Sequence, residues 1–226
     1  MSVSRSDDKS FTDTSRSTSA LLALGQICLN NGDSDKAFSF FESAARGGSS
    51  EAINMVGRAY ERGWGVRRNA TLAARYFAAA AEAGSGWAMF NLADLHLRGD
   101  GVEKNVVFSY TLYVEAARNG VPKALNMLGL LHEEGVVGVP DTEGAWAFFR
   151  AAAEAGDCWG FLNLARLYLE NDDIGNAAFW FRKSLACGFA DAVRAVKNLL
   201  DGKAAHPLLL SVLVEAERRL QGFEKT

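Results

Sequence analysis

The sequence predicts an all-α protein: about five helix pairs stacked into a solenoid, closed by a C-terminal capping helix. Two observations carry this. A set of residue columns recurs at fixed spacing, which is the signature of a repeat architecture. Apolar residues within each repeat follow the three- and four-residue spacing of a helix, and only 3 prolines interrupt 226 residues.

The columns are read from five glycines, Gly48, Gly84, Gly120, Gly156 and Gly188, spaced 36, 36, 36 and 32 residues apart. Fifteen residues before each stands Asp33, Asn69, Asn105, Asp141 or Asp173; seven before stands Phe41, Phe77, Tyr113, Phe149 or Phe181; four after stands Ala52, Ala88, Ala124, Gly160 or Ala192. The Asp/Asn column is expected to cap the second helix of each unit, its side chain accepting from free N–H groups of the first turn. The glycine column is expected to end that helix at positive φ. The first helix is expected to open at the Ala column, with apolar inner columns Leu24, Val56, Leu92, Leu128 and Leu164, and Leu21, Ile53, Met89, Leu125 and Phe161. A column that is always small, Gly25, Gly57, Ala93, Gly129 and Ala165, should let the second helix pack close to the first.

Taken in order, residues 1–19 form a Ser/Thr-rich tail expected to be disordered. Repeats then span about 20–51, 52–87, 88–123, 124–159 and 160–191, with a half-repeat at 192–201. The first and fifth units are shorter, as terminal units of solenoids often are. Residues 202–226 supply a linker broken by His206-Pro207 and a last amphipathic helix, Leu208–Leu220, with Leu208, Leu209, Val212, Leu213 and Leu220 on its apolar stripe.

The run Ala-Ile-Asn-Met-Val-Gly-Arg-Ala-Tyr at 52–60, followed by Gly63-Trp64-Gly65-Val66, Asn69 and Ala79-Ala80-Ala81-Glu82-Ala83-Gly84, resembles the Sel-one-like repeat family. The turns Gly99-Asp100-Gly101-Val102 and Gly135-Val136-Val137-Gly138-Val139 continue the pattern, and the resemblance covers about residues 20–201. It implies a right-handed α/α superhelix of the tetratricopeptide-like kind, with partners usually held on the concave face. Bacterial relatives often serve as regulators, secretion accessories or immunity proteins.

Columns of the first helix that vary between units mark the candidate binding stripe. They are Glu51, Trp87, Lys123 and Trp159; Asn54, Phe90, Asn126 and Leu162; Arg58, Asp94, Leu130 and Arg166; Glu61, Leu97, Glu133 and Leu169; and Arg62, Arg98, Glu134 and Glu170. Their three- and four-residue offsets put them on one face. Charged members of each column imply solvent access, so Trp87, Trp159, Phe90, Leu130, Leu97 and Leu169 are expected as exposed apolar groups among charges. Aromatic and Arg anchors of this kind carry most of the energy of protein interfaces. The competing reading has neighbouring units bury these residues.

Lys plus Arg total 24 against 27 Asp plus Glu, so the net charge is −3, which argues against a nucleic-acid binder. No segment is apolar for long enough to span a bilayer. The tail lacks the apolar core of a secretory signal, and Cys28, Cys158 and Cys187 do not make a disulfide framework. Cys158 and Cys187 fall near the same inter-unit turn of neighbouring units, where they could approach one another, but they are read as an inert pair of thiols, so a cytoplasmic protein with reduced thiols is expected. The sequon Asn69-Ala70-Thr71 is then fortuitous. His96 and His132, 36 apart in one column, are read as packing residues; with no third ligand they make a poor zinc site, and no metal or cofactor is expected. The Gly-x-Gly-Val turns look structural rather than phosphate-binding. The expected function is a non-enzymatic adaptor or scaffold for a protein partner. The alternative is a weak hydrolase using His96 or His132, of the β-lactamase-like kind linked to some secreted relatives whose per-repeat cysteine pairs this chain lacks.

Overall fold

The structure, a computed structural model, describes residues 7–136, 138–203 and 205–223, with side chains from residue 17 onward. Among these residues there are twelve helices and no strand, as the periodicity requires. The chain divides into two compact units after Gly120. The first holds three helix pairs: α1 (Asp7–Asn30) with α2 (Ser34–Ala45), α3 (Ser50–Arg62) with α4 (Ala70–Glu82), and α5 (Gly86–Arg98) with α6 (Val106–Arg118). The second holds α7 (Pro122–Glu133) with α8 (Thr142–Glu154), α9 (Cys158–Glu170) with α10 (Ile174–Ala186), then α11 (Ala190–Leu200) and α12 (Pro207–Phe223). Within a unit, the second helix of one pair also packs on the first helix of the next: α2 on α3, α4 on α5, α8 on α9.

Helix boundaries follow the expected columns. Asp33, Asn69, Asn105, Asp141 and Asp173 cap α2, α4, α6, α8 and α10, accepting from the N–H groups of Lys36, Leu72, Phe108, Gly144 and Asn176. The glycines that follow these helices, from Gly48 to Gly188, all lie at φ between 75° and 86°. A second cap column was not anticipated. Ser49, Ser85 and Asp157 cap α3, α5 and α9 onto the N–H groups of Ala52, Ala88 and Gly160, so each of these helices opens two residues ahead of the Ala column.

The small column works as packing space. A Cβ added to Gly25, Gly57 or Gly129 would lie 2.4 to 2.6 Å from the ring of Phe41, Phe77 or Phe149 respectively. These rings are fully buried, as are Tyr113 and Phe181 in the same column. Val56, Leu92, Leu128 and Leu164 are buried as expected, but Leu24 is 44% exposed. The reason is positional: α1 has no preceding second helix among the described residues to cover it. The Gly-x-Gly-Val turns are structural at Gly101, whose φ is 73° and whose absent Cβ would meet Thr71 N at 2.4 Å. Thr71 Oγ1 donates to the Gly101 carbonyl at 2.9 Å, docking the turn on the start of α4.

Three expectations change. From Asp7 on, the segment expected as a disordered tail is the first part of α1; residues 1–6 lie outside the described residues. Once a helix is nucleated, each further residue adds a hydrogen bond, which carries it through Ser/Thr-rich sequence. Cys158 and Cys187 are not reduced thiols but a disulfide, S–S 2.06 Å, leaving Cys28 as the free cysteine among the described residues. The bond ties the first residue of α9 to the C-cap of α10, because a helix hairpin returns the chain to its starting end. That removes the thiol argument for a cytoplasmic protein, since disulfides persist mainly in oxidising compartments. Finally, α12 packs on α10 and α11 through Leu209, Val212 and Ala216, with Leu213 and Leu220 partly buried, whereas Leu208 is exposed. His206, which had no expected role, caps α12: its Nδ1 accepts from the Leu208 N–H at 3.2 Å.

Candidate functional site

In the first unit the expected stripe runs along α3 and α5. Trp87 stands 52% exposed at the start of α5 and rests edge-on against Phe90, ring centroids 5.9 Å apart. Phe90 itself is only 3% exposed and packs on Tyr113 at 5.5 Å, so it props Trp87 from below instead of meeting solvent. Asn54 is also buried, accepting through Oδ1 from Asn91 Nδ2 at 2.9 Å. Arg58 is half-buried, its guanidinium 5.0 Å from the centroid of the Trp64 ring. Burial, with Arg62 beside it, lowers its pKa from the ordinary arginine value.

The charges of this stripe are largely paired with one another. Arg98 Nη2 reaches Glu61 Oε1 at 3.2 Å, clipping α5 to α3, and Arg98 Nη1 lies 3.7 Å from Asp94. Glu61 also faces Arg62 Nε at 3.6 Å. Asp94 accepts from the Tyr113 hydroxyl. Burial first, then the Asp94 charge, raises the Tyr113 pKa and keeps that hydroxyl a donor. Leu97 is half-buried.

In the second unit the stripe runs along α7 and α9. Asn126 is buried and accepts from Asn163 Nδ2 at 2.8 Å, the same pairing as Asn54 with Asn91. Arg166 Nη2 lies 2.8 and 2.7 Å from the two Glu133 oxygens, and Nη1 lies 2.9 Å from Glu170. Burial works against the Arg166 charge, but these two carboxylates raise its pKa overall. Leu130 is half-buried against the Phe149 cluster, Leu162 is buried, and Trp159 is 36% exposed.

The stripe is therefore split. Trp87, Trp159, Arg62 and Arg98 reach solvent, while the buried Phe90, Asn54, Asn126 and Leu162 and the half-buried Leu97, Leu130 and Leu169 are corrections to the expected surface. The variable columns mix two causes of variation, exposure and pairing. The partners Asn91 and Asn163 were missed. The signal for them was present, since each lies 37 residues after the Asn it bonds.

The two histidines serve helix turns. His96 Nδ1 lies 3.1 Å from the Glu103 carbonyl oxygen, and its ring meets Phe108 edge-on at 4.9 Å. His132 Nδ1 lies 3.1 Å from Asp141 Oδ2, while Asp141 Oδ1 accepts from the Gly144 N–H. The Gly144 N–H first, and His132 second, hold the Asp141 carboxyl below the ordinary aspartate value. His132 thus has the carboxylate an orienting partner would supply, but that carboxylate is committed to the start of α8. Among the described residues no cluster of three or more His, Cys, Asp or Glu forms a metal site, and no helix is long and apolar enough to cross a membrane.

Helix pairs in sequence order, with an aromatic of one helix seated over a small residue of its mate, define a tetratricopeptide-like repeat protein. The Sel1 repeat model matches residues 50–85, 88–121 and 122–157, and a tetratricopeptide repeat model matches 18–46. The chain therefore carries Sel1 repeats across the residues that this model matches. Among solved structures it is similar to a Sel1 repeat protein from Oxalobacter formigenes, at 20% identity over 91% of this chain and 88% of that one, TM-score 0.76. It is also similar to a protective antigen with this fold from uropathogenic Escherichia coli, at 25% identity over 91% of this chain and 46% of that one, TM-score 0.67. An immunity protein from Pseudomonas aeruginosa matches at 16% identity over 84% of this chain and 74% of that one, TM-score 0.61. No significantly similar sequence is found among curated proteins.

Proposed function

We propose that the chain is a non-enzymatic adaptor that binds a protein partner through the exposed face of its first helices. The observation that supports this most directly is the pair Trp87 and Trp159, both solvent-exposed at the same position of their repeats, 72 residues apart, each in a stripe of Arg and Glu side chains. An exposed indole costs free energy in the unbound chain and gains it on burial, and indoles beside guanidinium groups are the usual anchors of protein interfaces. Arg62 and Arg98 would complete the patch on α3 and α5, with Glu61 and Asp94 fixing their positions. On α7 and α9, Glu133 and Glu170 fix Arg166 in the same way.

Affinity capture from the source cells tests this, comparing the wild-type chain with Trp87→Ala and Trp159→Ala. Each substitution should weaken capture of the same partner by roughly 2 kcal/mol or more while helical circular dichroism is unchanged. Capture at wild-type strength by the double variant would sink the reading. A structural relative named as an immunity protein shares only 16% identity, so a toxin-neutralising role is one sub-class of adaptor that the captured partner itself will reveal. The hydrolase alternative would rest on His132 and Asp141. Incubation with a chromogenic β-lactam should give no turnover above buffer.

A further inference from the structure

A groove in the second unit is separate from the first-helix stripe. Its floor and near wall come from α10 (Gly175, Ala178, Phe179) and its far wall from Leu208 in the first turn of α12, with Arg182 and Lys183 along the rim. Phe179 is 49% exposed and Leu208 41%, so two large apolar groups face solvent within one concavity. Lys183 Nζ sits 5.7 Å above the Phe179 ring, and Arg182 Nη2 donates to Ser211 Oγ at 2.7 Å. Neither cation is paired with a carboxylate among the described residues, although the chain as a whole carries −3. The first turn of α12 adds the positive end of a helix dipole beside Leu208.

We propose that this groove docks an acidic linear peptide, one apolar side chain lying between Phe179 and Leu208 and neighbouring carboxylates meeting Arg182 and Lys183. The chemistry selects this occupant. The apolar walls need a hydrocarbon or aromatic group, and the two unpaired cations need anions close to it. Two cations are too few for a nucleic acid, whose binding rests on neutralising many phosphates. Guanidinium and ammonium groups on a shallow rim favour carboxylates that reach them from an extended chain.

The test uses the full chain and two fluorescein-labelled peptides, one alternating glutamate with leucine and phenylalanine, the other with lysine in place of each glutamate. Fluorescence anisotropy should show binding of the acidic peptide only, weakening as salt rises. Phe179→Ser and the double substitution Arg182→Gln with Lys183→Gln should each weaken it at least about tenfold. Trp87→Ala should leave it unchanged, which separates this groove from the proposed adaptor face. Three outcomes would overturn the proposal: equal binding of both peptides, acidic-peptide binding that survives both groove variants, or equally effective competition by a single-stranded oligonucleotide. A groove variant that shifts the sedimentation of the free chain would instead assign the groove to a second copy, and would overturn it too.

Discussion

Asn105 accepts from the Phe108 N–H at 2.9 Å and opens α6. Removing that acceptor with Asn105→Ala should cost about 1 kcal/mol, read as a lower denaturant midpoint with unchanged slope. Asp141→Ala should destabilise as well, and by acting on His132 too it should alter the ring's chemical shifts. The Asp/Asn caps of the second helices are legible because they are local and recur: one side chain, one N–H three residues on, five times over. Asn54, Asn126 and Phe90 were misplaced for the opposite reason. A buried Asn is tolerated only with a partner from another repeat, and that partner lies 37 residues away. Column variation alone does not separate an exposed side chain from one whose variability reflects a pairwise match.

Between helices, the Gly57–Phe77 contact sets how closely α3 and α4 approach. Gly57→Ala would gain helix propensity, yet its Cβ would meet the Phe77 ring at 2.6 Å. Overpacking should win, with a net loss of roughly 1–3 kcal/mol by chemical denaturation. The same change on an exposed helical position would stabilise, so the sign of the effect reports the packing. The α12 lid makes a parallel case. Val196, Leu200 and Leu185 are fully buried in a cluster that includes Leu209 and Val212 of α12. Deleting residues 207–226 should expose that cluster, lowering amide-exchange protection across 192–200 and promoting aggregation. Unchanged protection would remove α12 from the core. The apolar stripe of α12 was readable from spacing except at Leu208, which sits in the first turn, where the helix has only begun to cross α10.

For the molecule as a whole, the disulfide is where spacing placed the two cysteines at one turn but did not decide their chemistry. Cys158 and Cys187 are 29 residues apart, and only the return of the α9–α10 hairpin brings their Cα atoms to 6.1 Å. Alkylation under denaturing, non-reducing conditions should label one thiol per chain, Cys28, rising to all three after reduction. Cys158→Ser should cost roughly 2–4 kcal/mol, on the loop-closure argument. The repeat fold was legible from columns that agree across units, and the binding face less so, because a solenoid's surface is where its units are free to differ. That freedom bears on how such an array lengthens. The middle repeats share their main core columns, so a tandem duplication of one of them keeps most of its packing. The Glu61–Arg98 clip is more selective. Arg62 occupies in α3 the column that Arg98 fills in α5, so a gene segment encoding 52–87, copied behind itself, would yield two repeats already clipped together. A copy of 88–123 would set Leu97 against Arg98 and arrive unclipped. Yet the copy of 52–87 would set Met55 where Asn91 now stands and strip the buried Asn54 of its partner, so an array lengthened at the second repeat keeps its ion pair only by giving up an amide pair.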